Sequence, residues 1–422
     1  MLRRAEPVTL TSLVTSVHQS RFRAALLAAG CVAADMAGGE TIAIRGNTIH
    51  TMAGAAITDG VVVVDDGKIV AVGPAAAVAV PDGVRTLRAD VVTPGLIDAH
   101  CVIGLAGYLN QDHDQDQLDA TEPIQPELRA IDAFNSRERL VEWVRGFGVT
   151  TLHTGHAPAA LVSGQTMVVK TAGDSPILRP TAMVAVTLGD AGRISGDKKP
   201  PGTRSKSVAM LRAELIKGAE HRRKQADPDP EKRPPPELRL DAWGEVLAGA
   251  WPLLVTADRA TDIDGALRLA EEFGIRVVLD SAAESYLAID PIRVAKVPVI
   301  IHPSMKRAGR GETENAGFET AAKLHAAGIP IALQSGYESY VPKTRVVLFE
   351  AAIASANGLS VPEALSTVTI DAARILGVAD RIGSLEPGKD ADLALFDGDP
   401  FEYTTHCIGV IIDGAVVADE PR

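Results

Sequence analysis

The sequence is poor in cysteine, in aromatic residues and in basic charge. Three cysteines in 422 residues do not make a disulfide framework, and only 4% of the residues are aromatic. Acidic residues outnumber basic ones, 54 to 42, so the formal net charge is −12. This balance disfavours nucleic acid and anionic membrane surfaces as partners. No apolar run is long enough to predict a transmembrane helix.

Hydrophobic residues, by contrast, make up 46% of the chain, with alanine, valine and glycine abundant among the small residues. A chain of this length can bury a full α/β core and still form a second, smaller domain. Short apolar strands alternate with helical segments through the middle of the sequence, as in a strand at 149–153 and a helix at 263–273 that ends at Gly274. This alternation is typical of a parallel sheet or barrel.

The amino-terminal 38 residues have the order of an export signal. A basic segment at 21–23 precedes a short Ala/Leu-rich run, and residues 32–34 have the small side chains of a cleavage site. The pattern favours a periplasmic or secreted protein; a short amphipathic helix on a cytoplasmic protein is the alternative. Cys31 also follows a sequence similar to a lipoprotein box, although Ala28 stands where a larger aliphatic residue is usual.

Alternating, β-branched segments occur at both ends of the remaining chain. Residues 41–73 form such runs around a tight turn at 65–68, and residues 391–417 repeat the pattern around a second turn at Asp413. Strands at both ends, with a long α/β region between them, predict one small β-sandwich domain. Its two parts are residues 39–92 and 384–422.

The most informative stretch is residues 91–105, which read VVTPGLIDAHCVIGL. Two apolar residues lead into Pro94 and Gly95, and a second short strand then ends on His100. Such a strand places its imidazole at the carboxyl end of a sheet or barrel. In (β/α)8 barrels, that end is where the chemistry takes place.

This stretch resembles the first barrel strand of the amidohydrolase superfamily, which reads PGLIDxHxH, and the resemblance to imidazolonepropionase-like members extends over about residues 41–417. It implies a (β/α)8 barrel over residues 93–383, with the small β-domain beside it. It also implies hydrolysis of a C–N bond, in a cyclic amide, a ring imide or a peptide-like substrate. The members use a divalent cation to activate water and polarise a carbonyl, and their dimers or higher oligomers imply a possible homo-oligomer here.

The resemblance also implies a ligand set, most of which this chain lacks. The family places a histidine pair on the first strand, histidines on the fifth and sixth strands, and an aspartate on the eighth. His100 keeps the first position. Lys170 corresponds to a metal-bridging lysine of some members, or is an ordinary salt-bridged lysine. Four other positions hold residues that bind a divalent cation weakly or not at all: Val102, Thr256, Ser281 and Gly336.

Two functional hypotheses remain. The first is a divergent member with the metal centre largely lost and weak or no hydrolase activity, which binds a small molecule at the barrel mouth or pairs with an active paralogue. The second is an active hydrolase whose mononuclear site, for zinc or another divalent cation, is rebuilt from His100, His156 and His302. The three imidazoles would then converge on one point, with metal–nitrogen distances of about 2.0–2.1 Å.

One segment differs in composition from the rest. Residues 193–239 are rich in lysine, arginine and proline around a helical middle at 208–225. Such a basic insertion could cover an anion or a partner protein. A solvated helix with flexible shoulders is the simpler interpretation.

Overall fold

The computed structural model describes residues 40–109, 111–174, 176–193, 200–301, 311–336 and 347–422. The predicted export signal and His302 lie outside these ranges. Within them, none of the helices combines the length and the apolarity that crossing a bilayer requires.

The described residues form a mixed α/β fold. The strands are β1 Ile42–Ile49, β2 Ile57–Asp65, β3 Lys68–Pro74, β4 Arg85–Pro94, β5 Leu96–Cys101, β6 Val149–Thr154, β7 Val162–Gln165, β8 Met167–Lys170, β9 Ile177–Arg179, β10 Val184–Thr187, β11 Leu253–Thr256, β12 Val277–Ser281, β13 Val299–Ile301, β14 Ile331–Leu333, β15 Leu393–Phe396, β16 Cys407–Ile412 and β17 Ala415–Ala418. The helices are α1 Arg139–Arg145, α2 Arg204–Gln225, α3 Leu238–Leu247, α4 Ala260–Phe273, α5 Ile289–Ala295, α6 Thr320–Ala326, α7 Val347–Ala356, α8 Val361–Thr367 and α9 Ile370–Leu376.

One sheet of the described chain combines strands from both ends. Its seven strands lie in the order β17-β16-β15-β4-β1-β2-β3. The two ends meet where β15 pairs antiparallel with β4, with Ala394 opposite Thr93. Alternating residues such as Ile42 and Ile44 of β1 point into one shared apolar core. The strands expected at both ends therefore belong to one sheet, while the boundaries and sandwich character of a separate β-domain stay predictions.

The middle of the chain contributes two further sheets in the described ranges. The first has the order β14-β13-β12-β11-β10-β7, and its strands β10 to β14 run parallel. The second has the order β5-β6-β8-β9. The parallel strands are fully buried, and helices connect them, as parallel pairing requires. Helix α4 ends at Gly274, in the left-handed conformation that favours glycine, as predicted.

Backbone contacts join the two sheets at two places. Cys101 forms a parallel bridge with Gly336, just beyond β14. At the second place, Thr166, between β7 and β8, accepts a hydrogen bond from the Ala182 amide and donates its own amide to the Met183 carbonyl. The carboxyl ends of β5, β11, β12 and β14 therefore lie close together.

The basic insertion is folded rather than simply solvated. Helix α2 begins at Arg204, four residues before the predicted start, and Thr203 caps it by accepting a hydrogen bond from Lys206. Its buried residues pack on α3, where the approach is so close that a Cβ on Gly218 would come within 2.5 Å of Trp243. Composition alone did not reveal this buried face, because only a few apolar residues form it and charged residues surround them in the sequence.

Candidate active site

A buried carboxylate lies at the centre of the converging strand ends. Asp280 is the fourth residue of β12, and its side chain is fully buried. His100 of β5 places Nδ1 2.9 Å from Asp280 Oδ1, and the His100 side chain is only 1% exposed. His100 lies near the carboxyl end of β5, and the carboxylate of Asp280, from a strand of the other central sheet, engages its ring.

Two further side chains donate to the same carboxylate. Thr256 Oγ1 donates to Asp280 Oδ2 at 2.6 Å, and Gln334 Nε2 donates to Oδ1 at 2.8 Å. Burial alone raises the pKa of Asp280, but the charge of His100 and the three hydrogen bonds outweigh it, so the pKa is lowered. Asp280 is thus a carboxylate anion whose two oxygens are both bound by protein donors.

His153, at the end of β6, lies beside this cluster. Its ring centroid is 5.6 Å from that of His100. Nδ1 lies 2.6 Å from the Ala99 carbonyl, which can only accept, so Nδ1 carries the proton and Nε2 accepts from Thr166 Oγ1 at 2.7 Å. Burial and the charge of His100 lower the pKa of His153 to about 3. His153 is therefore neutral, and both of its ring nitrogens are engaged.

His156, proposed for a rebuilt metal site, is buried in a loop after β6. Among the described residues, neither ring nitrogen has a hydrogen-bond partner, and the ring packs so closely on Gly164 that a Cβ there would lie 2.5 Å away. Burial lowers the pKa of His156 to about 4, although the Leu128 carbonyl and Asp119 oppose the shift.

The residues described here do not fit the metal that the family resemblance implies. Among them, no three His, Cys, Asp or Glu side chains are grouped as a metal ion requires. His302, the third residue of the rebuilt site, lies outside the described ranges, so that hypothesis stays a prediction.

The four substituted ligand positions each have a local packing or hydrogen-bonding role. Val102 packs in a small apolar cluster with Ala106 and Ala157. Thr256 donates to Asp280, as described above. Gly336 has φ +96° and forms the bridge to Cys101. A side chain at Gly336 would be strained by this backbone conformation whatever space surrounded it.

Ser281, the fourth of these positions, begins a strained turn. Ser281 and Ala282 have φ of 64° and 53°, a region that residues other than glycine rarely adopt. Asp258, after β11, holds the turn by accepting from the Ser281 hydroxyl and from the Ala283 amide. Its carbonyl also accepts from the Glu284 amide at 2.8 Å. The loop after β11 thus fixes the end of β12.

Lys170 serves a different part of the molecule. Its ammonium is 2.9 Å from Asp390, 2.9 Å from Asp392 and 2.6 Å from Asp413, and its side chain is 0% exposed. Burial lowers the pKa of Lys170, but Asp392 and the other two carboxylates outweigh this and raise it. The salt-bridged interpretation of this lysine agrees with these contacts, which tie β8 to the segments around β15 and β16.

Asp280 and Gln334 carry the geometry of the site, but neither stands at one of the family's ligand positions. Asp280 directly precedes Ser281, and successive residues of a strand point to opposite faces. The family motif drew attention to Ser281, one residue away from the side chain that contacts His100. A charged residue inside the apolar run VVLDS was the available signal, because an aspartate is almost never fully buried without a partner.

The fold and much of the sequence match proteins of known structure. An amidohydrolase from Thermotoga maritima superimposes with a TM-score of 0.85 and 30% sequence identity, over 90% of this chain and 100% of the other. The chain belongs to the amidohydrolase superfamily. Residues 344–418 also match the family model described as amidohydrolase family.

Relatives of similar length place the chain near one branch of the superfamily. The imidazolonepropionase of Rhizorhabdus wittichii is 27% identical over 401 residues, which cover 84% of this chain and 92% of that protein. The imidazolonepropionase of Solibacter usitatus is 26% identical over 386 residues, covering 84% and 88%. The predicted resemblance to imidazolonepropionase-like hydrolases of C–N bonds is confirmed.

Proposed function

We propose that this protein is an amidohydrolase homologue in which a hydrogen-bonded carboxylate replaces the family's metal centre. It hydrolyses C–N bonds weakly or not at all, and its role is to bind a small molecule at the carboxyl ends of the central strands. The observation that carries the proposal is Asp280, a buried carboxylate with protein donors on both oxygens.

The fold that we propose around this site is the closed (β/α)8 barrel of the superfamily. The parallel strands β10 to β14 and their connecting helices support it. So do the two backbone contacts between the sheets, one through Gly336 and the other through Thr166. In such a barrel, chemistry and binding take place at the carboxyl ends of the strands.

Charge balance supports the loss of the metal. A buried carboxylate needs a compensating cation or strong donors, because an unpaired buried charge is costly. His100, Thr256 and Gln334 meet that need for Asp280 without a divalent ion. A cation entering this cluster would compete with donors that already bind both oxygens.

The residue at the second histidine position also supports the loss of the metal. Val102, where the motif has its second histidine, packs with Ala106, Ala157 and the partly buried Leu118. An apolar side chain cannot ligate a divalent cation, as the histidine at this position does in the family.

Elemental analysis of the purified protein tests the proposal. After growth in medium with added zinc and manganese, we expect near-zero metal in the wild type and in His100→Ala. His113→Ala is the matched control, because the side chain of His113 is 78% exposed. About one zinc or manganese per chain, lost in His100→Ala but kept in His113→Ala, would overturn the proposal. An imidazolonepropionase prepared in parallel verifies that the medium loads the family site.

A further inference from the structure

A groove of about 920 Å³ lies at the amino ends of the parallel strands β11 to β14, away from Asp280. Helices α4, α5 and α9 contribute its walls. Its volume is within the range of small-molecule sites. The residues directly before the four strands all line it and form its base: Pro252, Arg276, Pro298 and Pro330. We call it the amino-end groove.

The backbone at the base of the amino-end groove offers few hydrogen bonds to a ligand. Three of the four base residues are prolines, which have no amide N–H. The carbonyls of all four residues already accept a hydrogen bond from an amide of the adjacent strand. Because a polar ligand group would lose its hydrogen bonds to water there, the base suits an apolar part of a ligand.

Apolar side chains extend the base towards the surface. Leu267 of α4 and Ile275 are buried, whereas Val294 of α5 is 78% exposed, and all three line the groove. Scattered exposed apolar residues are normal, but one that lies in a groove with a charged rim is typical of a binding site. The groove therefore combines an apolar base with an accessible apolar wall.

The rim of the groove is positively charged, although the formal net charge of the chain is −12. Its four cationic residues are Arg268, Arg276, Lys296 and Arg374. The two carboxylates of the lining, Asp264 and Glu271, lie one turn before and one turn after Arg268 on α4. Arg374 forms an ion pair within α9. Across the described residues, Arg276 and Lys296 have no carboxylate partner, so the uncompensated charge lies before β12 and β13.

Arg276 is also close to a second arginine. Arg179, at the end of β9, donates to the Leu376 carbonyl at 3.1 Å, and Arg276 donates to the Ala250 carbonyl at 2.9 Å. Burial and the charge of Arg276 lower the pKa of Arg179, and none of the described carboxylates opposes the shift. Backbone carbonyls thus hold two neighbouring guanidiniums that repel each other. A carboxylate would relieve this repulsion, because a guanidinium can bind it through two parallel hydrogen bonds.

We propose that the amino-end groove binds a fatty acid, with the carboxylate at Arg276 and Arg179 and the alkyl chain along the prolines and Val294. A fatty acid meets both requirements of the groove. A long-chain alcohol would leave the guanidiniums unpaired, and a short-chain carboxylate would leave the apolar base in contact with water. The site lies away from the carboxyl ends of the strands, so it does not depend on the proposed function.

Isothermal titration calorimetry with dodecanoate, below its micelle concentration, tests the carboxylate site. We expect one dodecanoate per chain, and for Arg276→Gln at least about a tenfold increase in the dissociation constant, because a charged hydrogen bond is lost. Arg233→Gln is the matched control, since Arg233 is also exposed and donates to a backbone carbonyl, at 2.8 Å. A wild type that does not bind dodecanoate overturns the proposal, and so does a dissociation constant that Arg276→Gln leaves unchanged.

The alkyl chain and its position are tested separately. We expect dodecan-1-ol and butanoate each to bind at least about tenfold more weakly than dodecanoate. Val294→Asp should weaken dodecanoate binding by placing a carboxylate on the apolar wall, whereas Leu238→Asp should not, because Leu238, 75% exposed, lies on α3 outside the groove. Equal affinity for dodecan-1-ol, or no effect of Val294→Asp, would overturn the proposal.

His100→Ala distinguishes this groove from the site proposed at the carboxyl ends of the strands. We expect the variant to bind dodecanoate as the wild type does, and circular dichroism verifies that every variant is folded. Loss of dodecanoate binding in folded His100→Ala would place the ligand at the carboxyl ends instead. That result would overturn the amino-end groove as the fatty-acid site and leave the proposed function standing.

Discussion

Replacing Lys170 with methionine should destabilise the protein strongly, and the contacts show how much. Methionine keeps a long apolar side chain but removes the ammonium from among Asp390, Asp392 and Asp413. Asp390 retains Lys68 and Arg381 as partners, and the side chain of Asp413 is 39% exposed and can be hydrated. Asp392, whose side chain is 3% exposed, is therefore the buried carboxylate that is left without its cationic partner.

Leaving one buried charge without its partner costs about 3–5 kcal/mol. We expect Lys170→Met to lower the free energy of unfolding by about that amount at pH 7.5, measured by urea unfolding followed by circular dichroism. Lys68→Met is the control: its side chain is 50% exposed, so the expected loss is at most about 1 kcal/mol.

The proposed cause predicts two further results. Burial, opposed by Lys170, raises the pKa of Asp392 to about 6, so the carboxyl is protonated at pH 5 and the loss should shrink there. Asp392→Asn, added to Lys170→Met, should restore part of the stability by removing the unpaired charge. Equal losses for Lys170→Met and Lys68→Met, or no recovery in the double variant, would refute this reasoning.

Two other substitutions test the strand ends. Burial raises the pKa of Asp98 to about 6 from 3.8, so the folded state binds the proton more tightly and stability falls as pH rises from about 4 to 6. Asp98→Asn should remove up to about 3 kcal/mol of this pH dependence of the free energy of unfolding. The same pH dependence in the wild type and in Asp98→Asn would contradict this prediction. Thr256→Val should cost about 1.5–3 kcal/mol by removing one donor to the buried Asp280, whereas Thr256→Ser should cost less because it keeps the hydroxyl. Chemical unfolding compares the two, and a larger loss for serine would refute the importance of that hydrogen bond.

Sequence patterns predicted the parts of the fold that depend on residues close together in the chain. Alternating residues around the turns at 65–68 and at Asp413 identified strands at both ends, and the strand that ends on His100 identified the family. Each of these signals is contained in a few consecutive residues. The pairing of β4 with β15 follows the family resemblance as well, since no local pattern specifies a partner so far along the chain.

The contacts within the site could not be predicted in the same way. Asp280 contacts His100 across 180 residues, and Lys170 contacts its three aspartates across 220 to 243 residues. The sequence could not decide whether Lys170 is a metal ligand or a salt-bridged residue, because the spacing of residues along the chain does not show which side chains meet. The buried face of α2 was missed for a related reason, because Trp243, which packs on it, belongs to a later helix.

The seven-stranded sheet also has a consequence for the order in which the protein is made. Strand β4 pairs with β1 on one side and with β15 on the other, so its second edge has no native partner until β15 leaves the ribosome. At about 5–20 residues per second, the intervening chain of roughly 300 residues takes roughly 15–60 s to synthesise. During that interval β4 presents an open edge, which is prone to pair with other chains. Completion of this sheet therefore has to wait until β15 has been synthesised.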